Sequence, residues 1–200
     1  MLVTLIRHGK TKGNLENRYV GTTEEGILEE EINYIKSRKL ELEKTVMHVY
    51  CSPMKRCMET SSLMYPQIAH TICQDLRECD FGKFEYLNYM DLEGNVAYQT
   101  WIDSNGTLAF PEGERVASFK KRCIKEFEHI LADASKMHYT SVACVVHGGT
   151  IMAIMEAFAG SNKSYFDWQV DNLCGYRTEV YSNHGKEKVV MASYQKIERE

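Results

Sequence analysis

Proline, paired cysteines, a basic excess and long apolar runs are all scarce or missing in this sequence of 200 residues. Only three prolines occur, and no repeat, low-complexity tract or linker divides the chain, so we expect residues 1–200 to form one domain. The formal net charge is -4 at pH 7, which argues against nucleic acid as a partner, because phosphate-backbone binders usually carry a basic excess. It permits a small phosphorylated ligand, since a local cluster of arginines can hold one phosphate.

The cysteines argue against disulfide bonds and zinc. The chain has seven cysteines, an odd number, and no Cys-x-x-Cys pair. We therefore expect buried thiols in a reducing cytosol and no metal site. The apolar run at residues 2–6 is too short for a signal peptide, and no window approaches the roughly 20 apolar residues of a membrane span. These features predict a cytoplasmic protein without a membrane partner.

Strands that alternate with helices predict an α/β fold. Short apolar runs indicate strands over residues 2–6, 46–50, 69–73 and 141–146. Helical patterns cover residues 29–42, from Ser52-Pro53 to about Tyr65, 114–136 and 150–158, and a terminal hairpin is predicted over 176–181 and 188–194, around Asn183-His184-Gly185. This order implies a three-layer sandwich, with a mostly parallel central sheet and helices on both faces.

Reactive side chains follow three of the predicted strands. Arg7-His8-Gly9 follows the first, residues 52–56 follow the second, and His147-Gly148 follows the strand at 141–146. In open α/β sheets, ligands bind beyond the carboxyl ends of the strands. We therefore expect the three segments to meet at one edge of the sheet and to form a site there.

The residue types at this edge suit phosphoryl transfer. A neutral imidazole is a competent nucleophile when a backbone carbonyl holds one ring nitrogen as a donor, and His8 is the candidate. Arg7 and Arg56 could neutralise the phosphoryl oxygens, with Lys55 as a rival of Arg56. His147 could donate to the same oxygens. For each residue the alternative is an ordinary strand-end or surface side chain.

The proton donor is less well defined. A leaving alkoxide needs a proton, and a carboxylic acid can supply it when burial or a nearby phosphate raises its pKa. Glu78 lies in a charged loop after the third strand, and Asp80 and Glu85 are local rivals that residue types alone do not rank. Other nucleophile motifs fail, since Cys51 to Arg56 is one residue short of a Cys-x5-Arg loop and no G-x-S-x-G or D-x-D sequence is present.

Five motifs, in order, resemble signatures of the histidine phosphatase (phosphoglycerate mutase-like) superfamily. Arg7-His8-Gly9-Lys10-Thr11 with Asn14 resembles R-H-G-x-T-x-x-N, and Ser52, Arg56 and Thr60 resemble S-x-x-x-R-x-x-x-T. The remaining three matches are Leu76-Arg77-Glu78 with Phe81-Gly82 and Glu85 to L-x-E-x-x-F-G-x-x-E, Pro111-Glu112-Gly113-Glu114 to P-G-G-E, and Val146-His147-Gly148-Gly149 to a late V-x-H-G motif. The resemblance spans about residues 2–154.

This resemblance implies roles for individual residues. His8 would be the transiently phosphorylated nucleophile, and Glu78 the proton donor and then the base that activates water. No metal or other cofactor is implied. The phosphate pocket would be formed by Arg7, Asn14, Arg56, His147 and the backbone N–H of Gly148. Lys10 departs from the family pattern, where glutamate is common, and Glu112 replaces a glycine.

The superfamily contains both mutases and phosphatases. Cofactor-dependent phosphoglycerate mutases carry a longer insertion between the acid loop and the late helix, whereas the stretch from Phe84 to Pro111 is short here. The chain is therefore expected to be a phosphomonoesterase for a small phosphorylated metabolite. Within that branch it is most similar to bacterial α-ribazole phosphatases of cobalamin biosynthesis, judged on residues 18–21 and 80–82, although broad-specificity phosphatases share these features.

Several alternatives stay open at this point. The chain could be a phosphoglycerate mutase, or a non-catalytic phospho-ligand-binding member of the fold, which the intact set of reactive residues disfavours. The hairpin at 176–194 could pair with a second copy to form a homodimer. Five aromatic residues could line a substrate mouth or simply pack in the core: Tyr89, Tyr98, Trp101, Phe110 and Trp168.

Overall fold

The fold is given by a computed structural model that describes residues 1–37, 45–182 and 189–199. Six strands and six α-helices lie along this part of the chain. In order, they are β1 (Leu2–Arg7), α1 (Lys12–Leu15), α2 (Glu29–Ser37), β2 (His48–Cys51), α3 (Lys55–Met64), β3 (His70–Ile72), α4 (Val96–Asp103), α5 (Val116–Lys136), β4 (Ser141–Val146), α6 (Gly148–Phe158), β5 (Gly175–Ser182) and β6 (Val189–Ile197).

The strands form one mixed sheet in the order β3-β2-β4-β1-β5-β6. Strands β1, β2, β3 and β4 are mutually parallel, and β5 runs antiparallel to both β1 and β6. The predicted α/β class and parallel sheet centre are confirmed. The register pairs Arg7 with Val146 and Cys51 with Val145. His8, Ser52 and His147 therefore leave the sheet at the same edge.

Helices cover both faces of the sheet. On one face, Leu5 and Cys144 pack in a core that includes Phe127 of α5 and Ile151 of α6. On the other, residues of opposite parity on the same strands pack against α2 and α3, in a core that includes Ile6, Val145, Ile35, Cys57 and Met64. Because successive side chains of a strand point to opposite faces, continuous apolar strands are what a sheet covered on both sides requires. The predicted three layers are present.

Some predicted boundaries differ from the structure. Helix α3 begins at Lys55 with Met54 as its N-cap residue, so Pro53 precedes the helix and does not open it. Helix α6 begins at Gly148, two residues earlier than predicted. Helix α4 was not predicted. None of its residues is fully buried, although Tyr98 and Trp101 pack against a core cluster. The helix begins where the side chain of Asn95 accepts a hydrogen bond from the N–H of Tyr98. The end of the predicted helix at 29–42 and the predicted turn at 183–185 lie outside the described residues.

All seven cysteines are buried as free thiols. No helix in the described ranges is long and apolar enough to cross a membrane. Among the same residues, no three His, Cys, Asp or Glu side chains are grouped so that they could hold a metal ion.

Candidate active site

The carboxyl-end edge of the sheet brings together the three segments that the sequence singles out. The rings of His8 and His147 lie with their centroids 5.2 Å apart, edge to face. Both are buried, and the guanidinium groups of Arg7 and Arg56 are near enough to influence the titration of both rings. Two arginines and two histidines thus share one pocket above β1, β2 and β4.

His8 is held as a neutral imidazole with one nitrogen free. Its Nδ1 lies 2.7 Å from the carbonyl oxygen of Gly9, and because a carbonyl only accepts, Nδ1 carries the hydrogen and Nε2 keeps its lone pair. Burial lowers the pKa of His8 well below its ordinary 6.5, and Arg56 and Arg7 lower it further. The loop is anchored by the N–H of Gly9, which donates to the hydroxyl of Thr60 at 2.9 Å.

His147 is also buried and neutral. Burial lowers its pKa well below 6.5, with further lowering by Arg56 and His8. Its Nε2 lies 2.7 Å from the hydroxyl oxygen of Ser52, in a hydrogen bond whose direction depends on the tautomer. Sequence reasoning placed Ser52 in a motif without a role, and the structure shows that it orients the ring of His147.

Arg56 is a fully buried cation held by backbone carbonyls. Its Nη1 donates to the carbonyl of Thr23 at 3.0 Å, and its Nη2 donates to those of Gly21 at 2.9 Å and Val20 at 3.2 Å. Its Nε is buried without a partner among the described residues. This geometry excludes Lys55 as the equivalent cation, since the Lys55 ammonium lies on the outer face of α3, 3.8 Å from the carboxylate of Glu59.

Glu85 fixes the loop whose backbone carbonyls bind Arg56. Its Oε1 accepts three hydrogen bonds, from the N–H of Gly21 at 2.8 Å, the N–H of Thr23 at 2.9 Å and the hydroxyl of Thr23 at 2.7 Å. A side chain at Gly21 would collide with the carbonyl of Cys79, so the loop can approach this closely only with glycine there. Glu85 is thereby engaged in fixing residues 20–23 beneath the Arg56 guanidinium.

Arg7 and Gly148 line the other side of the pocket. The Nη1 of Arg7 donates to the carbonyl of Val170 at 2.7 Å, while its Nε is buried without a partner in the described chain. A Cβ at Gly148 would lie 3.5 Å from that Nε. Gly148 is the first residue of α6, and N–H groups in the first turn have no partner within the helix. Both groups are therefore available to an anion.

Glu78 lies against the start of α6. Its Oε1 accepts from the N–H of Cys79 at 2.9 Å, and a Cβ at Gly149 would come within 2.6 Å of the same oxygen. Burial raises the pKa of Glu78 above its ordinary 4.5, although the Cys79 N–H, Arg56 and Arg7 all oppose this shift. Its rival Asp80 instead accepts from the N–H of Gly82 at 2.8 Å and shapes the turn.

Asn14 and Asn172 complete the pocket floor. The side-chain oxygen of Asn14 accepts from the N–H of Thr11 and from Nδ2 of Asn172, both at 3.3 Å, which leaves its amide nitrogen to donate to a ligand. Nδ2 of Asn172 also donates to the carbonyl of His8 at 3.0 Å. Sequence reasoning missed Asn172. It precedes β5, and only the antiparallel pairing of β5 with β1 brings it to this edge.

Comparisons with known proteins agree with this geometry. The family model described as "Histidine phosphatase superfamily (branch 1)" matches residues 3–192. The adenosylcobalamin/alpha-ribazole phosphatase of Escherichia coli is 25% identical in an alignment of 186 positions that covers 87% of each chain. A broad-specificity phosphatase of Saccharomyces cerevisiae is 27% identical over 165 residues, 76% of this chain and 67% of that one.

A solved structure shows the same fold. The phosphoglycerate mutase of Bacillus anthracis superposes with a TM-score of 0.77 at 21% identity, over 96% of this chain and 92% of that one. A superposition of this extent shows that the two chains share a fold. The family match over residues 3–192, together with the phosphatase relatives above, identifies the chain as a phosphatase that belongs to branch 1 of the histidine phosphatase superfamily.

Proposed function

We propose that this chain hydrolyses phosphate monoesters of a small metabolite through a phosphohistidine at His8. One observation carries the proposal. Arg18, Arg122 and Arg199 each have a carboxylate oxygen within 4.0 Å, but within residues 1–37, 45–182 and 189–199 neither Arg7 nor Arg56 does. A buried charge without a carboxylate in direct contact is costly, which supports a bound anion as the partner of these two arginines.

The reaction follows from the positions of His8 and Glu78. In the first step, Nε2 of His8 forms a bond to phosphorus while the bond to the leaving oxygen breaks, and protonated Glu78 gives its proton to that oxygen. In the second step, the Glu78 carboxylate takes a proton from water as the water oxygen attacks phosphorus. The P–N bond then breaks, inorganic phosphate leaves, and His8 returns to its neutral form.

The remaining pocket groups stabilise the charge on the phosphoryl oxygens. Arg7, Arg56, the amide of Asn14 and the N–H of Gly148 supply fixed donors that need no rearrangement during the reaction. If the Ser52 hydroxyl donates to Nε2 of His147, then Nδ1 carries the hydrogen and becomes a further donor. Because His147 is neutral, it adds a hydrogen-bond donor to the phosphoryl group without adding a further positive charge to the pocket.

We further propose α-ribazole phosphate, in cobalamin biosynthesis, as the physiological substrate. The similarity to the Escherichia coli adenosylcobalamin/alpha-ribazole phosphatase supports it, and a broad-specificity phosphatase is the second candidate. We place the protein in the cytoplasm, because buried free thiols are typical of a reducing compartment. We also propose that residues 1–200 form one domain that binds no nucleic acid or membrane, and that the edge strand β6 could pair two copies.

The test of this function is phosphate release from α-ribazole phosphate in the presence of EDTA. Turnover that is undiminished by the chelator supports both the substrate and a reaction that needs no chelatable metal ion. Absence of turnover with α-ribazole phosphate, together with hydrolysis of other phosphomonoesters, rejects the substrate and keeps the mechanism. Conversion of 3-phosphoglycerate to 2-phosphoglycerate that depends on bisphosphoglycerate would show that the chain is a mutase instead.

Glu78→Gln is expected to remove one limb of the pH profile. In the wild type, kcat/KM falls as pH rises through the raised pKa of Glu78, because the carboxyl loses the proton that the leaving oxygen needs. Glutamine cannot donate that proton, so we expect a loss of about 10²- to 10⁴-fold in kcat/KM and a flat alkaline side. Asp80→Asn is the matched control and should keep the wild-type limb. Persistence of the limb in Glu78→Gln would assign the acid to another group.

The same substitution is expected to stabilise the protein at neutral pH. Because the folded-state pKa of Glu78 lies above its unfolded value, the native state binds more protons between the two pKa values. Stability therefore falls as pH rises through that window and stays lower above it. Glutamine removes this dependence, so Tm of Glu78→Gln should exceed that of the wild type at pH 7 and approach it near pH 4. A variant that is less stable at pH 7 would contradict the buried, desolvated position of the carboxyl.

A further inference from the structure

An apolar cavity opens beside the proposed proton donor. It has a volume of about 190 Å³. Its described lining is Tyr19, Glu78, Cys79, Phe81, Trp101, Gly106, Phe110, Val116, Phe119, Gly149, Met152, Tyr165 and Phe166. A larger depression of about 610 Å³ between Tyr89 and Thr100 includes none of the proposed catalytic residues in its lining. The cavity beside Glu78 is lined by the proposed proton donor itself, and it therefore adjoins the position of the leaving group.

Aromatic side chains make up seven of its thirteen described lining residues. The ring of Trp101 lies 5.0 Å from that of Phe110 and is tilted by 32°, and Phe110 meets Phe81 edge to face at 5.0 Å. Gly106 has φ +69°, and a Cβ there would approach Trp101 at 3.2 Å and Phe166 at 3.3 Å. Phe166 is 53% exposed and lies at the rim. Of the five aromatic residues considered as a substrate mouth, Trp101 and Phe110 line this cavity. Trp168 is instead buried against Tyr176 and Tyr194.

Glu78 joins this cavity to the phosphate pocket. Its carboxyl lines the cavity, and it also interacts electrostatically with Arg7 and Arg56. The leaving oxygen of a bound ester must lie within hydrogen-bond distance of this carboxyl to receive its proton. The carbon atoms attached to that oxygen consequently extend from Glu78 into the aromatic cavity.

The cavity offers little to a charged leaving group. Among the described residues that line it, Glu78 is the only one with an ionisable acid or base of the Asp, Glu, Lys, Arg or His type. The two tyrosine hydroxyls are already engaged, Tyr19 with the hydroxyl of Tyr98 at 3.1 Å and Tyr165 with the carbonyl of Gly149 at 3.3 Å. A carboxylate on the leaving group would be desolvated here, with no cation among the described lining residues to pair with, which is costly.

We propose that this cavity binds a flat, uncharged ring on the leaving alcohol, so that the preferred substrates are phosphate monoesters of ring-bearing alcohols. This inference rests on the proposed function, because it assumes that the phosphoryl group lies at His8. An apolar cavity of about 150 Å³ is enough to bind benzene, and the present volume of about 190 Å³ thus suits one ring. Stacking on Trp101 and Phe110 supplies the preference for a flat ring over a puckered one.

Hydrolysis of matched phosphate esters tests the preference. Benzyl, cyclohexylmethyl and n-propyl phosphate all release a primary alcohol, so differences report mainly on the cavity. We expect kcat/KM for benzyl phosphate to exceed that for n-propyl phosphate at least about tenfold, and that for cyclohexylmethyl phosphate by roughly 2- to 10-fold. Val116→Trp fills the cavity and should bring the kcat/KM values of the three esters close together. Tyr89→Ala removes an exposed aromatic outside the cavity and should preserve these ratios.

A binding measurement keeps the inference testable if turnover fails. The chain has two tryptophans, so Trp168→Phe leaves Trp101 as the single fluorescent reporter in the cavity. Benzylphosphonate should change its emission and bind at least about tenfold more tightly than n-propylphosphonate. Equal affinities, or equal kcat/KM values for the benzyl and n-propyl esters, would overturn the ring preference. A complete lack of ester hydrolysis alongside selective benzylphosphonate binding would instead reject the proposed function and retain the cavity's ligand class.

Discussion

His8→Ala is expected to reduce kcat by the order of 10⁵- to 10⁶-fold, the usual size of the loss when a covalent nucleophile is removed. Alanine cannot form the P–N bond, so the phosphohistidine intermediate is lost. Only direct attack of water on phosphorus then remains, assisted by the arginines and Glu78. The measurement is single-turnover phosphate release from an aryl phosphate by the purified variant. His129→Ala is the matched control, because His129 has a side chain that is 62% exposed on α5, and it should retain wild-type kcat.

The His8→Ala variant is also expected to fold and to keep a pocket that binds phosphate. His8→Ala leaves Arg7 and Arg56 in place, so inorganic phosphate should still raise Tm of the variant, as binding to the native state alone must do. Activity within tenfold of wild type would show that another group attacks phosphorus. Loss of both activity and the phosphate-dependent rise in Tm would indicate that the variant pocket is disrupted, and His8→Gln would then replace it as the test variant.

Arg56→Lys is expected to cost about 10³-fold in kcat/KM, at the lower end of what a phosphate-directed arginine contributes. Lysine keeps the charge, but its single ammonium cannot donate to the carbonyls of Val20, Gly21 and Thr23 and also present an N–H to a phosphoryl oxygen. The loss should be measured as kcat/KM with an ester whose alcohol is a poor leaving group. Arg77→Lys is the control, since the side chain of Arg77 is 47% exposed.

The loss in kcat/KM and the fall in Tm together show whether Arg56 binds phosphate or only stabilises the fold. A purely structural Arg56 would lower Tm in Arg56→Lys, with kcat/KM of the folded fraction unchanged. A loss below tenfold in folded protein, or an equal loss in Arg77→Lys, would contradict the direct contact with phosphate. We expect Tm to fall as well, because three carbonyls lose part of their donor set, but kcat/KM should fall far more than the folded fraction does.

The site could be located from the sequence because its parts follow buried parallel strands. Continuous apolar runs identify β1, β2 and β4, and parallel strands present their carboxyl ends at one edge, which places His8, Ser52 and His147 together. Asn172 could not be located in this way. It precedes a strand, and it reaches the same edge only because β5 is antiparallel, which depends on pairing that no local pattern encodes.

The acid could be narrowed by family resemblance but not by local pattern. Glu78, Asp80 and Glu85 lie within eight residues of one another in a charged loop. Tertiary packing separates them, since it buries Glu78 against α6, binds Asp80 to the N–H of Gly82 and places Glu85 beneath residues 20–23. Helix α4 was missed for a related reason: it has only eight residues and none is fully buried, so its apolar pattern is too short to reveal it.

The most direct test of the account is to trap the phosphoryl group on the enzyme. 4-Nitrophenyl phosphate has a leaving group that needs no proton, so Glu78→Gln should still undergo the first step while the second, which needs the base, is slow. Rapid quenching and peptide mass spectrometry should then find one phosphoryl group on His8, stable in base and labile in acid. A phosphoryl group on any other residue, or steady release of phosphate with no phosphoryl-enzyme at any quench time, would contradict the phosphohistidine mechanism.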